Sequence, residues 1–479
     1  MFDVFIIGGG INGSGIARDA AGRGYKVGLA EQYDFGSQTS SWSTKLIHGG
    51  IRYLENYEFS LVKESLNERE VIYQIANHIS KPLNFILPHV PDLRPSWLIR
   101  IGLFLYDFLA GRSAFPKSKR LDLLKENLKF LSKNYQYGYQ YADLQIDDSR
   151  LTLLNILDSE NNGAQVFNYT KVTSVDKKDD HWEIGLSNGK KFLSKILINA
   201  TGPMIEGAFR DIFKREVGNS IRLIQGSHII TNKLYEEDKA YILQQPDKRI
   251  VFVIPYLEKF SLIGTTEIEV SSAINPKITP QEKKYLIECV NRFSDKKIQE
   301  QDILWSYSGV RPLIQDSSES MTKNSRDYHL DNQLNSERLI HIYGGKLTTY
   351  RKLSEKTVDY IDAFFHKKLH HWTGLKKLPG SENNSKTGFK YKIEKETLNR
   401  ITKNYGGLSD KVFECMDDLG GTGLKICDNL YEFEILYLIK FEHAKNEDDI
   451  LFRRTKLGIQ FNSEEIRNKI HTIINNYLN

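Results

Sequence analysis

The segment that opens the chain limits its fold more than any other. Phe2 to Ile7 is an apolar run that reads as a buried strand. Gly8, Gly10 and Gly13 follow at GxGxxG spacing, and a helix then carries Ile16, Ala17, Ala20 and Ala21 on one face. Gly24 stops that helix, Val27 to Ala30 supplies a second parallel strand, and Glu31 closes it. Each part suits a dinucleotide. The first glycine permits the tight turn, the second lets backbone N–H groups approach a pyrophosphate, and the third lets helix pack on strand. The helix N-terminus attracts the phosphate charge. Glu31 would accept hydrogen bonds from ribose hydroxyls, and a carboxylate there disfavours a 2′-phosphate, which argues against NADP.

Further strand–glycine–helix signals lie far downstream. Trp182, Ile184 and Leu186 alternate before the Ser187-Asn188-Gly189 turn, and Ile196 to Ile198 then lead into Asn199, Ala200, Thr201 and Gly202. This reads as a strand returning to the nucleotide domain, and such a late second loop favours FAD over NAD. Ile340 to Tyr343, Gly344 and Gly345 precede a helix bearing Leu347, Tyr350, Leu353, Val358 and Ile361. Between these, Ile221–Ile230, Ile250–Pro255 and Phe260–Gly264 are short β-rich runs that predict an antiparallel sheet able to roof a substrate pocket.

With 479 residues the chain exceeds what one core organises. The expected α/β architecture is a Rossmann-like FAD-binding domain in three segments (1–80, 141–210 and 321–370) with an antiparallel-sheet substrate domain (211–320). A cap and membrane-contact segment (81–140), a linker (371–392) and a C-terminal helical domain (393–479) complete it. A net charge of +5 is too mild to argue for nucleic acid. Three cysteines without a CxxC pair predict no structural metal and suit a reducing compartment. No leader is expected ahead of the first strand. Trp97 to Leu109, interrupted by Arg100 and Asp107, falls short of the roughly 20 residues that span a bilayer.

After the βαβ unit, Thr39, Ser40, Ser41, Ser43, Thr44, Lys45, Leu46, Ile47, His48, Gly49, Gly50, Ile51, Arg52 and Tyr53 concentrate hydroxyls, a histidine and cations. Here the chain closely resembles the FAD-dependent, quinone-linked glycerol-3-phosphate dehydrogenases of the aerobic bacterial type. The stretches that carry the resemblance are IIGGGINGSGIARDAAGRG, SSWSTKLIHGGIRYLENYEFSLV, LRPSWLIRIGLFLYDFL, NATGP, IRLIQGSHI, DKRIVFVIPY, IGTTEIE, YSGVRPL, SRDYHLD and GGKLTTYRKL. They keep family order to about residue 365, and YEFEILYLIKFEHAKNEDDILFRRTKLGI matches beyond. Met204 and Glu267 depart from the usual Trp and Asp, and residues 366–392 match poorly.

The resemblance implies oxidation of sn-glycerol 3-phosphate to dihydroxyacetone phosphate, with hydride passing from substrate C2 to flavin N5 and electrons leaving to a membrane quinone. Cofactor contacts are expected from Gly8, Gly10, Ile11, Asn12, Gly13, Glu31, Thr39, Ser40, Ser41, Lys45, Leu46, His48, Val172, Ala200, Gly202, Gly345, Lys346, Leu347 and Thr348. Arg52, Tyr53, Arg311 and Arg326 would bind substrate, since an arginine fork grips phosphate oxygens in pairs. The catalytic set is His48, His228, Lys346 and Arg311. Either histidine could take the hydroxyl proton, and Lys346 at a helix start could stabilise charge on the reduced flavin.

Trp97, Leu98, Ile101, Leu103, Phe104, Leu105 and Phe108, interspersed with Arg94 and Arg100, fit either an interfacial membrane helix or a core helix. A peripheral protein on the cytoplasmic face of the inner membrane is implied, and a homodimer is compatible with the sequence. Three other readings stay open. A glycerol-3-phosphate oxidase would use oxygen, an amine or amino-acid oxidase would share the fold, and a non-catalytic flavin carrier would not need His48, Arg52, Arg311 and Lys346 together.

Overall fold

A computed structural model describes residues 1–216, 220–315, 328–382 and 392–478. Strand β1 (Phe2–Ile7) forms where four consecutive buried apolar residues, Val4 to Ile7, follow Phe2. Its neighbours are β2 (Val27–Ala30) on one side and the returning strand Lys191–Asn199 on the other, both parallel to it. Leu339–Tyr343 continues the parallel order, and His329–Gln333 adds an antiparallel edge. Strands buried on both faces in this way read as apolar runs, which is why the sequence revealed them. Helix α1 (Ile11–Gly22) packs over β1 and against the helices Asp148–Asn161 and Tyr350–Phe364.

Register is what builds the cofactor end. Ile7 pairs with Ala30 and with Asn199, so three strands finish level and deliver Gly8, Glu31 and Ala200 to one edge. Open α/β sheets bind ligands outside such carboxyl ends.

The second sheet has ten strands and is largely antiparallel. Its longest pair, Ser220–Asn232 with Ile303–Gln315, sets His228 opposite Tyr307 and Ile224 opposite Arg311. Its other half is made of Leu46–Ile47, Ser80–Pro88, Lys119–Asp122 and Tyr137–Ile146. The boundary expected at residue 140/141 therefore falls inside a strand, because Tyr137–Ile146 pairs throughout with Ser80–Pro88 and continues the substrate sheet. Periodicity could not reveal this, since a strand's partner is not written in its own sequence.

The expected linker is also partly corrected. Trp372, Thr373 and Leu378 are packed rather than free. Trp372 lies on Gly22, where an added Cβ would stand 1.9 Å from its ring, and Leu378 is fully buried. Four further helices, Lys395–Tyr405, Ser409–Leu419, Glu432–Glu442 and Glu464–Leu478, pack as the predicted helical unit. Buried ion pairs tie it to the nucleotide domain: Asp34 accepts from Arg453 Nε at 2.6 Å and Arg454 Nη2 at 2.8 Å, and Arg150 meets Glu442 at 2.5 Å. Asp34 lies three residues past Glu31, so the helical unit is anchored beside the cofactor edge. Removing one partner of such a pair costs about 3–5 kcal/mol, because the other charge stays buried.

Helix α2 (Ser96–Ala110) is two-faced. Ile99, Leu103 and Tyr106 are buried, while Trp97, Ile101, Phe104 and Phe108 are 63%, 48%, 67% and 71% exposed. No helix among the described residues is long and apolar enough to cross a membrane.

Two buried histidines set a pH dependence. Burial pushes His341, on the strand Leu339–Tyr343, down to about 4, and burial with the Arg150 charge pushes His78 down to about 3. Both are neutral in the fold, whereas unfolding lets them charge near pH 6.5. The unfolded chain then binds more protons between these values, so their contribution is present above pH 6.5 and lost as pH falls. Urea midpoints measured from pH 7 to 4 should decline, and His341→Asn should decline less steeply. Parallel slopes for the two proteins would contradict the assignment.

Candidate active site

The glycine turn has the close contact its spacing implies. Gly8 adopts φ +107°, and a Cβ on Gly13 would stand 1.9 Å from the Gly8 carbonyl oxygen, so α1 begins in van der Waals contact with β1. No side chain of its N-cap residue, Gly10, caps α1. Ser40 Oγ accepts from Ile11 N at 2.9 Å, bringing the hydroxyl-rich loop onto the helix end. Glu31 accepts from Gly9 N at 2.7 Å and Tyr33 N at 2.9 Å. Each carboxylate oxygen keeps a second lone pair for a ribose hydroxyl. Burial raises the Glu31 pKa, and those two amides oppose the rise.

Two connected cavities run from this edge into the space between the sheets. The first, of about 340 Å³, is lined by Gly8, Gly10, Asn12, Glu31, Ala200 and Gly202, among others. The second, of about 490 Å³, is lined by His48, Arg52, Tyr53, Arg311, Lys346 and Thr348, among others. Ile11, Thr39, Ser40, Arg311, Pro312, Gly344 and Gly345 line both. Of the residues expected to touch cofactor, Val172, Leu46 and Leu347 also line one or other cavity.

Cations outweigh anions around the larger cavity. Arg52, Arg222, Arg311 and Lys346 line it, and its acids are engaged: Glu269 by Arg222 at 2.7 Å, Glu267 by Arg311 at 3.9 Å and Asp143 by Arg69 at 3.0 Å. Lys346 Nζ is buried over the Tyr53 ring, 4.1 Å from its centroid, and no hydrogen bond to another described residue satisfies it. Asn12 donates to Gly344 O at 3.0 Å while its own Oδ1 lacks a partner among the described residues. Orphaned donors and acceptors of this kind cost stability unless a ligand meets them. Together with the N-terminus of α1, they fit an extended anionic cofactor.

Several expected residues stand elsewhere. Ser41 and Lys45 line neither cavity. Ser41 Oγ donates to Gly36 O at 2.6 Å, and Lys45 Nζ is buried against Asp148 at 2.7 Å. Gly13 acts through its approach to Gly8. His228 is 1% exposed and lies behind Thr44, whose hydroxyl is 3.0 Å from its Nε2. Stacked on Tyr307 with centroids 4.8 Å apart, it is held well below the ordinary histidine pKa by burial, then by Arg311 and Lys45. Arg326 lies outside the described residues. Trp42, Asp143, Arg222 and Thr265 line the cavity without having been expected. Trp42, Arg222 and Thr265 stand inside the stretches that carry the family resemblance, whereas Asp143 lies outside them on Tyr137–Ile146, which only the pairing of the sheet brings to the cavity.

The family described as FAD dependent oxidoreductase matches residues 3–351, and that described as C-terminal domain of alpha-glycerophosphate oxidase matches residues 372–479. The glycerol-3-phosphate dehydrogenase of Pseudomonas aeruginosa is 42% identical, with 98% of this chain and 94% of that one covered. The D-erythritol 1-phosphate dehydrogenase of Brucella abortus is 38% identical, covering 95% and 94%. Among solved structures, the glycerol-3-phosphate dehydrogenase of Bacillus halodurans complexed with FAD superposes with a TM-score of 0.75 at 25% identity, covering 100% and 94%.

The glycine cradle allows a clean test. A Cβ on Gly10 would meet only Ser40 Oγ, at 3.2 Å, so Gly10→Ala should fold while filling the approach to the pyrophosphate. The purified variant should keep its circular dichroism and bind FAD about tenfold or more weakly, as expected when ~1.4 kcal/mol of contact is removed. An unchanged Kd for FAD would contradict the role.

Proposed function

The chain belongs to the family of FAD-dependent glycerol-3-phosphate dehydrogenases. From that membership we propose that it oxidises sn-glycerol 3-phosphate to dihydroxyacetone phosphate and hands the electrons to a membrane quinone. The observation that carries this reading is the set of three cations, Arg52, Arg311 and Lys346, gathered with His48 in the cavity that adjoins the glycine cradle. A small phosphorylated alcohol needs that combination, and an amino-acid substrate does not.

Bound along the two cavities, FAD supplies a two-electron acceptor for hydride from a secondary carbinol carbon. Arg52 and Arg311 hold the substrate phosphate, each offering a planar pair of donors. Arg52 lines the cavity, where its guanidinium can meet an incoming dianion. His48 accepts the C2 hydroxyl proton as the hydride leaves. His228, neutral because of its burial and the charges of Arg311 and Lys45, acts on the cavity through the Thr44 hydroxyl and orients that wall. Lys346 balances the negative charge that accumulates on reduction.

For the electron exit, the outer face of α2 supports a peripheral contact with the cytoplasmic leaflet. Aromatic rings stand on that face at a spacing that faces one direction, and Arg94 and Arg100 flank them. Each ring that a bilayer buries contributes about 1.5–3 kcal/mol. Phe104→Ser with Phe108→Ser should therefore lower partition onto anionic vesicles by about tenfold or more while flavin content is unchanged. Equal sedimentation with vesicles would contradict the contact.

The substrate reading is tested by anaerobic addition of sn-glycerol 3-phosphate, which should bleach the flavin; D-erythritol 1-phosphate should bleach it far more slowly. Bleaching by glycine or sarcosine but not by glycerol 3-phosphate would overturn the reading, and fast reoxidation in air alone would favour an oxidase. Arg311→Ala should raise KM by about 10- to 100-fold, the worth of charge-assisted hydrogen bonds at ~1.5–3 kcal/mol. Flavin should stay bound in that variant, and an unchanged KM would refute the phosphate role.

A further inference from the structure

A proton acceptor must be held in place, since misplacement by about 1 Å can cost roughly 100-fold in rate. His48 is followed directly by Gly49 and Gly50, and Gly50 adopts φ +72° before the turn that carries Arg52. Two glycines give that backbone freedom. Gly49 is nonetheless buried, and its N–H donates to Tyr106 Oη at 2.9 Å.

The same phenol donates to Asp143 Oδ1 at 2.6 Å. Asp143 also accepts from Arg69 Nη1 at 3.0 Å, and Arg69 donates to Ala142 O at 2.8 Å. Tyr106 is 2% exposed, so no water competes for its hydroxyl. Its ring and Leu66 press on Gly49, where an added Cβ would stand 2.7 Å and 2.6 Å from them. The chain Gly49 N–H to Tyr106 to Asp143 runs in one donor direction, ends on a carboxylate and is charge-balanced by Arg69. A phenol with one proton can serve both neighbours only in this orientation.

We propose that Tyr106 is a positioning residue for the reaction: its hydroxyl, fixed by Asp143 and Arg69, locks the Gly49 amide and so holds His48 against the reacting hydroxyl. The residue acts through the backbone and touches neither substrate nor flavin. It comes from the buried face of α2, a helix whose sequence shows only an apolar stripe. The kinetic part of the proposal rests on the glycerol 3-phosphate reading; the structural part does not.

Tyr106→Phe keeps the ring and removes the lock. In the flavin-loaded enzyme, the rate of anaerobic bleaching by glycerol 3-phosphate should fall by about tenfold or more while KM moves by less than about threefold, the pattern of a loss made at the reacting centre. Flavin content should be unchanged. Amide exchange in the segment 46–53, followed by mass spectrometry, should accelerate. Leu66→Ala loosens packing on the same glycine without touching the hydrogen bond, so it should lower the thermal midpoint and spare the bleaching rate. An unaltered rate in Tyr106→Phe, unaltered exchange in that segment, or an equal slowing in Leu66→Ala would overturn the proposal. If glycerol 3-phosphate fails to bleach the parent enzyme, the substrate reading falls, and the exchange comparison still decides whether the lock exists.

Discussion

The approach of Gly13 to the Gly8 carbonyl is the contact on which the rest of the site depends. Any side chain at Gly13 would overlap that oxygen, so the residue is glycine or α1 does not start there. Starting there, the helix end faces the level ends of β1, β2 and Lys191–Asn199. One backbone contact thus fixes where a pyrophosphate can sit, and hence which way the rest of a dinucleotide must run. The larger cavity, with its histidine and cations, lies in that direction.

The second sheet converts that direction into chemistry. Its longest strand pair brings Arg311 to the cavity, while the loop after β2 brings His48 and Arg52. Placing several cations around one cavity is electrostatically costly when the site is empty. The engaged acids Glu267, Glu269 and Asp143 offset part of that cost, and a phosphate dianion would offset more. His228 and Lys45 illustrate the opposite use of polar groups. Both are buried away from the cavity, where they join strand, loop and helix.

Legibility followed the range of each signal. The strand at Phe2–Ile7, the helix after it, the Ser187-Asn188-Gly189 turn and the strand at Leu339–Tyr343 all declare themselves within a few residues, through periodicity or turn chemistry. The pairing of Tyr137–Ile146 does not, so the boundary at residue 140 was misplaced. Site residues show the same split. Glu31 and Lys346, beside glycine motifs, and Ser40, in the hydroxyl-rich run, line the cavities from local signals. Asp143 and Arg222 meet at one cavity because Tyr137–Ile146 and Ser220–Asn232 belong to the same ten-stranded sheet. Ser41 and Lys45 share the motif of their neighbours, but their side chains turn into the protein, onto Gly36 O and Asp148.

The central claim is that this chain removes hydride from the C2 carbon of glycerol 3-phosphate at a site built from His48, Arg52 and Arg311. Anaerobic stopped-flow bleaching with substrate deuterated at C2, compared with substrate deuterated at C1 and C3, tests that most directly. Slower bleaching for the C2 deuteride alone is the predicted result. Equal rates for both, or a flavin that stays oxidised, would contradict the account.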